Sequence, residues 1–418
     1  MKKHILLCAA LALSSFGLPS CSDILDQKPL DSYTDTAVWG DLSLAESFLN
    51  YCYLRVEAEN TNGVMFCNYT DETYHMHDYG TSTYTQGRAS CDNYNTGWTE
   101  GKGNTWSHYY GGIKLCNQLL EDIMDTPANT DSEKEWKNQI IGQGYFLRAY
   151  YYHMLYSVYG RIPLIDHTYD LDSEFKEERA DMDDVADFIV ADCDKAAELL
   201  PTVYKDASDF GRATKGAALA LKGRVLLYKA SPLFGTPSRE KWQAAADANK
   251  AVIDMNIYSL KQVSNSDEYA DLFFDSKNPE VIFEKLYDEK GIAGSSASLV
   301  MQAPAGPGNG YEGWSTWQPT YEIVELFQNA DGTPYKPAET KPFTILQTTI
   351  DPDSGEATQK EVTIQASDVN PWEGREIRLK ANILYDGMLW GYGDSNREIE
   401  LFAVSYTHLR AHETRHDL

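Results

Sequence analysis

The chain reads as mostly α: stacked helical hairpins, broken by long aromatic-rich loops and a few short strands. Three observations predict this. In residues 139–165, Ile140, Gly144, Leu147, Tyr151, Leu155 and Val158 recur at steps of four and three, one face of an α-helix. A second stripe, Tyr145, Tyr152, Tyr156 and Tyr159, lies about 100° around it, and a helix apolar on two sides is sandwiched between neighbours. Two further helices, 183–200 and 214–230, start about 30 residues apart, the period of a helix-turn-helix repeat.

Taken in order, Lys2 and Lys3 precede an apolar run over 5–13, followed by Leu18, Pro19, Ser20 and Cys21. That layout is a secretory signal, too short to span a bilayer as a mature helix. Leu-Pro-Ser-Cys resembles the bacterial lipobox, which makes Cys21 the lipidated first residue of the mature chain. Residues 1–20 are therefore the signal and 21–40 a polar tether. A helix over 42–56 offers Leu44, Phe48, Leu49, Tyr51 and Leu54 for burial.

From 60 to 112 Gly, Asn, Thr and Ser are dense, and tyrosines and tryptophans fall without period. So many aromatic residues argue against disorder, and a loop-rich stretch this long is usually functional. In helix 183–200, Val185, Ile189, Cys193, Ala196 and Leu200 form the inner stripe. In 214–230, Gly216, Ala220, Gly223 and Leu227 form a stripe of mostly small residues that admits a close neighbour. A further helix runs over 242–254. Residues 280–284 read as extended, and 291–313 is a second Gly/Ser/Pro-rich loop.

A net charge of −27 over 418 residues excludes a phosphate-binding surface of clustered Lys and Arg. Outside the signal, Cys52, Cys67, Cys91, Cys116 and Cys193 are odd in number with no CxxC pair, so spacing assigns no disulfide. No GxSxG, HExxH, P-loop or dinucleotide fingerprint stands in a suitable setting. Carboxylates are too plentiful to single out a hydrolytic pair. Asp351 and Asp353 open like a calcium loop, but position twelve is Val362, and a polar turn fits better. His75 and His77 read as solvent-facing loop residues rather than metal ligands. His408, His412 and His416 sit at i, i+4 and i+8, yet residues 404–418 break the preceding pattern and read as a non-native tail.

The string FLRAYYYHMLYSVYGRIPLI, with Leu147, Arg148, Ala149, Tyr150, Tyr152, Tyr159, Gly160, Pro163 and Leu164, resembles the signature of the SusD/RagB family, the surface glycan- and nutrient-binding lipoproteins of Bacteroidota. Gln143 and Gly144 depart from the acidic residue and alanine usual there. Trp106, Ile113 and Asn117 resemble its first signature helix, where they pack. Arg224 with 228–231, the run 319–332, 370–379 and 385–387 resemble later elements.

The resemblance implies tetratricopeptide-like hairpin stacking, with a helical portion over 41–260 and an incomplete C-terminal portion over 261–403. It implies a non-enzymatic glycan binder without cofactor or metal, anchored in the outer membrane at the cell surface. The partner it implies is a SusC-like TonB-dependent transporter, over which the protein closes as a lid. By resemblance, the glycan site combines Tyr94, Trp98 and Asn104 with Tyr311, Trp314 and Trp317, and Asp71 and Arg88 are polar companions. Peptide capture within the same family, a surface glycoside hydrolase and a purely structural surface protein are the alternatives.

Overall fold

The computed structural model describes residues 35–56, 60–61, 64–76, 81–90, 105–170, 172–286, 316–339, 341–350, 357–366, 370–385, 387–392 and 395–399. The helical body consists of α1 (Leu42–Tyr53), α2 (Thr105–Asp122), α3 (Asp131–Tyr159), α4 (Met182–Leu199), α5 (Lys215–Ala230) and α6 (Arg239–Asp254). Each of α2 to α5 packs against the next helix in sequence, and α1 lies on both α2 and α3. This is the expected stack, held by one hydrophobic core that runs from α1 through α5.

The central helix α3 begins with a capping box, Thr130 with Glu133, and ends at Gly160, whose φ of +65° only glycine adopts freely. Both predicted stripes are buried over most of their length, Tyr151, Tyr152 and Tyr156 completely. Val158 is the exception, at 37% exposure. The seam continues instead through Tyr159, whose ring stands 5.1 Å from Trp106 and turns Val158 outward. Close helix approach also requires Gly112 of α2, where a Cβ would lie 2.7 Å from the Tyr151 ring.

Hydroxyls on the buried tyrosines tie loops to the bundle. Tyr151 donates to the Cys52 carbonyl at 2.6 Å, and Tyr152 donates to Ile165 O at 2.8 Å. Gln143, the departure from the family pattern, is 1% exposed and accepts from the Tyr53 hydroxyl at 2.9 Å. Arg148 is buried and donates to both oxygens of Asp192, at 2.7 and 2.8 Å, and to Asn117 Oδ1 at 2.9 Å. Asn117 passes the network on, donating to the carbonyls of Ile165 and His167 at 3.0 Å.

The α4 stripe is buried as expected. In α5, Gly223 does admit α6, since a Cβ there would lie 2.7 Å from Asn249 Oδ1. Leu227 is nevertheless 48% exposed, because the buried seam runs through Ala217, Leu221 and Val225. Tyr51 in α1 and Leu54 at its C-cap are likewise exposed, and Leu42, Ala45, Leu49 and Cys52 form the inner face. Trp106 packs between Tyr110 and Tyr159, so it serves the core as expected. The tether ends in a helical turn, Asp35–Val38, and Trp39 rests on Phe48 at 5.1 Å.

Outside the body the described strands pair only in twos. These are β1 (Asn60–Thr61) with β2 (Val64–Met65), β3 (Thr73–His75) with β4 (Trp317–Pro319), β5 (Lys341–Ile350) with β6 (Ala357–Ala366), and β7 (Leu389–Tyr392) with β8 (Ser395–Glu398). All four pairs are antiparallel. Among the described residues, no helix is long and apolar enough to cross a membrane.

Candidate ligand-binding site

Part of the aromatic-rich loop that leaves α1 and returns at α2 pairs with residues 317–319, which follow the second loop region in sequence, in a two-stranded sheet. Thr73 pairs with Pro319, Tyr74 with Gln318, and His75 with Trp317. Both ends of the junction are pinned: Met76 N donates to Thr316 O at 2.9 Å, and Thr320 N to Glu72 O at 3.0 Å. The Thr320 hydroxyl donates to the Asp71 carbonyl and also caps the helix Tyr321–Leu326, accepting from Ile323 N at 3.3 Å. Two stretches about 240 residues apart are thereby fixed as one surface.

Side chains alternate across a strand, so the pairing sorts them. Tyr74, 59% exposed, stands outward beside the exposed Gln318. His75 and the half-buried Trp317 take the other face. His75 is 1% exposed, which corrects its reading as a solvent-facing loop residue: the strand turns it inward. Behind β3, Asn68 is buried and donates to the Thr73 hydroxyl at 2.6 Å. The short helix Thr81–Thr85 lies on the turn Phe66–Tyr69, bringing the Tyr69 and Tyr84 rings to 5.0 Å.

Of the residues expected to bind ligand, the structure brings Asp71, Arg88 and Trp317 onto adjoining pieces of this cluster. Asp71 is exposed at the turn before β3 and contributes its carbonyl to the junction. Arg88 is exposed, its Nε donating to Gln86 Oε1 at 3.0 Å. Tyr94, Trp98, Asn104, Tyr311, Trp314 and the lipidation residue Cys21 lie outside the described residues. His77, Asp351 and Asp353 lie outside them too.

Sequence reasoning passed over Tyr74 as a site residue, and over Thr320. A three-residue strand is too short to show alternation, and Thr320 reveals its role only through a partner far off in sequence. What the cluster presents, among the described residues, is an exposed phenol ring, amides, hydroxyls, the carboxylates of Asp71 and Glu72 and the Arg88 guanidinium. Such a surface can stack on an apolar ring face and orient hydroxyl groups. Among the described residues, no three metal-ligating side chains gather.

Comparison with known proteins accords with this architecture. A family described as "Starch-binding associating with outer membrane" (SusD-like) matches residues 23–227, and the SusD family (SusD_RagB) matches 279–414. The chain belongs to the SusD/RagB family. A SusD-like protein of Formosa agariphila is 23% identical over 342 residues, covering 76% of this chain and 61% of that protein. A second from the same organism is 25% identical over 383 residues, 85% of this chain and 66% of that one.

Among solved structures, a SusD-like protein of Bacteroides fragilis superposes with a TM-score of 0.70 at 24% identity, covering 90% of this chain and 66% of that one. A SusD-like carbohydrate binding protein of the same species gives 0.63 at 22% identity, covering 84% and 61%. The helical stack is thus the SusD-like fold. The chain spans about three fifths to two thirds of the length of these relatives.

Proposed function

We propose that this SusD/RagB chain captures a glycan at the cell surface and hands it to a TonB-dependent outer-membrane transporter, acting by affinity and without catalysis. The observation that carries the reading is the β3–β4 junction. It sets residues 73–75 and 317–319 side by side, with Tyr74 outward, Trp317 half-buried on the opposite face, and Asp71 and Arg88 exposed on adjoining turns. A family described as starch-binding supports the ligand class. Family association with the outer membrane supports anchoring through Cys21, with the binding surface facing outward. Delivery would proceed by rigid-body hinging of the whole protein over the transporter mouth. In this reading Trp98 and Trp314 also stack on the ligand, and Tyr94, Asn104 and Tyr311 also contact it.

Affinity gel electrophoresis of the chain from Ser22 to Leu418, through gels containing plant, host or microbial polysaccharides, tests the proposal. One glycan class should retard the wild type, and a Trp98→Ala, Trp314→Ala, Trp317→Ala variant should run freely. A chain folded by circular dichroism that passes unretarded through every gel would sink the glycan reading.

A further inference from the structure

A second concavity shares no residue with the β3–β4 cluster. It lies between the turn that joins α4 to α5 and residues 276–286. Two hollows of about 520 and 320 Å³ adjoin along a common wall of Phe210, Gly211, Arg212, Phe283 and Glu284. Both volumes fall in the range of small-molecule sites.

The wall is firmly built. Arg212 pairs with Asp209 at 2.9 Å and Glu46 at 3.3 Å, and donates to Asn50 Oδ1 at 3.0 Å and Gln143 Oε1 at 3.3 Å. Gly211 holds a φ of +91°, and a Cβ there would lie 2.5 Å from Leu286 Cδ1, so the turn admits only glycine without strain. This turn leaves the Phe210 ring 43% exposed at the rim, with Lys277 Nζ 5.3 Å from its centroid. Phe283 is held from behind by Phe146, ring to ring at 5.0 Å.

Glu284 gives the groove its polarity. Its Oε1 is buried and accepts no hydrogen bond from the described residues. Burial raises its pKa, with the Ser276 hydroxyl acting the other way and Asp275 adding to the rise. A buried carboxylate oxygen without a donor is costly, and a donor brought by a ligand removes that cost.

The lining discriminates among ligands. An anion would meet Asp206, Asp209 and Glu284, and a cation would meet Lys205 and Lys277. A purely apolar molecule would leave Glu284 Oε1 without a donor. We propose that this groove is a second ligand site that takes a segment of neutral oligosaccharide, its hydroxyls donating to Glu284 and a sugar ring face lying on Phe210. The residues of this groove are independent of those in the β3–β4 cluster.

Isothermal titration of the chain from Ser22 to Leu418 with tetra- to hexasaccharides of glucose, xylose and mannose tests it. Phe210→Ala, Glu284→Gln and Trp317→Ala are the variants. The wild type should show two classes of site for one sugar. Phe210→Ala and Glu284→Gln should each weaken one class by about tenfold or more and spare the other, and Trp317→Ala should do the reverse. Glu284→Gln keeps shape and size, so it retains the fold if Phe210→Ala does not. A single class of site lost only in Trp317→Ala overturns the second site and leaves the proposed function standing. Absence of any sugar binding overturns both. A lysine-containing peptide that binds the wild type but not Glu284→Gln, with no sugar doing so, overturns the sugar assignment.

Discussion

Among the described residues, the helical body and the portion that follows it each bury one arginine, and they satisfy it in opposite ways. In the body, Arg148 meets a full carboxylate, Asp192, in a two-pronged contact whose side chains are 7% and 3% exposed. Beyond residue 316, Arg375 is 6% exposed and, among the described residues, its hydrogen bonds go to backbone carbonyls rather than to a carboxylate. It donates to Pro371 O at 3.0 Å, Val324 O at 2.6 Å and Phe327 O at 2.7 Å, and its guanidinium carbon lies 3.6 Å from the centre of the Tyr335 ring. The first arginine crosslinks helices that already share a large core. The second stands in for a core, since the satellite cluster there centres on Ile399 with Leu384 and Met388. A packed stack can hold a buried charge pair, whereas a loop-built portion relies on one side chain to gather its backbone.

The largest effect should come from breaking the charge pair. Burial alone would lower the Arg148 pKa, but the Asp192 carboxylate accepting its hydrogen bonds raises it. Burial holds the Asp192 carboxyl above its ordinary value, even with Arg148 opposing. Arg148→Met would leave that carboxylate buried and unpaired, at a cost of about 3–5 kcal/mol. Urea unfolding of the body would measure it. Replacing both partners, Arg148→Met with Asp192→Leu, should restore most of the loss, because an apolar pair of similar volume removes both desolvation penalties. If the double variant is as unstable as the single one, the pair does more than satisfy itself. The bonds from Asn117 to Ile165 O and His167 O would then depend on it.

The same contrast explains what the sequence could disclose. The body declares itself through periodicity: Val185, Ile189, Cys193, Ala196 and Leu200 all lie in the core where their spacing puts them. Errors occur at helix ends and on helices with two neighbours, as at Val158 and Leu227, where the seam shifts by one residue to follow a particular ring or partner. The SusD/RagB signature was legible because its residues are packing residues, Arg148 and Gly160 among them. The site was legible only as two aromatic loop regions. Their junction rests on backbone bonds between strands of three residues, which leave no periodic trace, and Thr320 reaches Asp71 across an interval that no local pattern encodes. The Glu284 groove left no trace at all, since an unpartnered oxygen is a property of the fold.

A smaller effect inside the body should come from His153. It is 4% exposed, its Nδ1 has no hydrogen-bond partner among the described residues, and it meets Tyr228 edge to face at 5.3 Å. Burial, reinforced by Arg224, lowers its pKa from 6.5 to about 4. In the unfolded chain the ring takes up a proton near its ordinary value; in the folded chain it resists until about pH 4. Its contribution is therefore complete above pH 6.5 and is lost as the pH falls toward 4, by on the order of 3 kcal/mol. His153→Phe should remove that component, so the difference in unfolding free energy between variant and wild type should slope across this window. A difference that stays flat from pH 7 to 4 would mean that the folded ring accepts a proton freely.

The smallest and most local effect belongs to Arg375. Lysine keeps the charge but offers a compact ammonium that cannot span three carbonyls as a planar guanidinium does. Arg375→Lys should therefore leave carbonyls unsatisfied at a cost of about 1–3 kcal/mol. That loss should remain within its own portion, because the contacts of Arg375 are to residues 324–335 and 371. Hydrogen exchange resolves the matter by region. Ala330 N, bonded to Gly374 O at 2.8 Å, and Glu376 N, bonded to Gln328 O at 3.0 Å, should exchange faster in the variant. Amides in α3 and α4 should keep their protection. Equal loss of protection in α3 would mean that the two portions open as one cooperative unit, and the division between a core-held and an arginine-held region would have no energetic meaning. Faster exchange confined to 324–335 and 371–376 would fix the boundary of that unit to within a few residues.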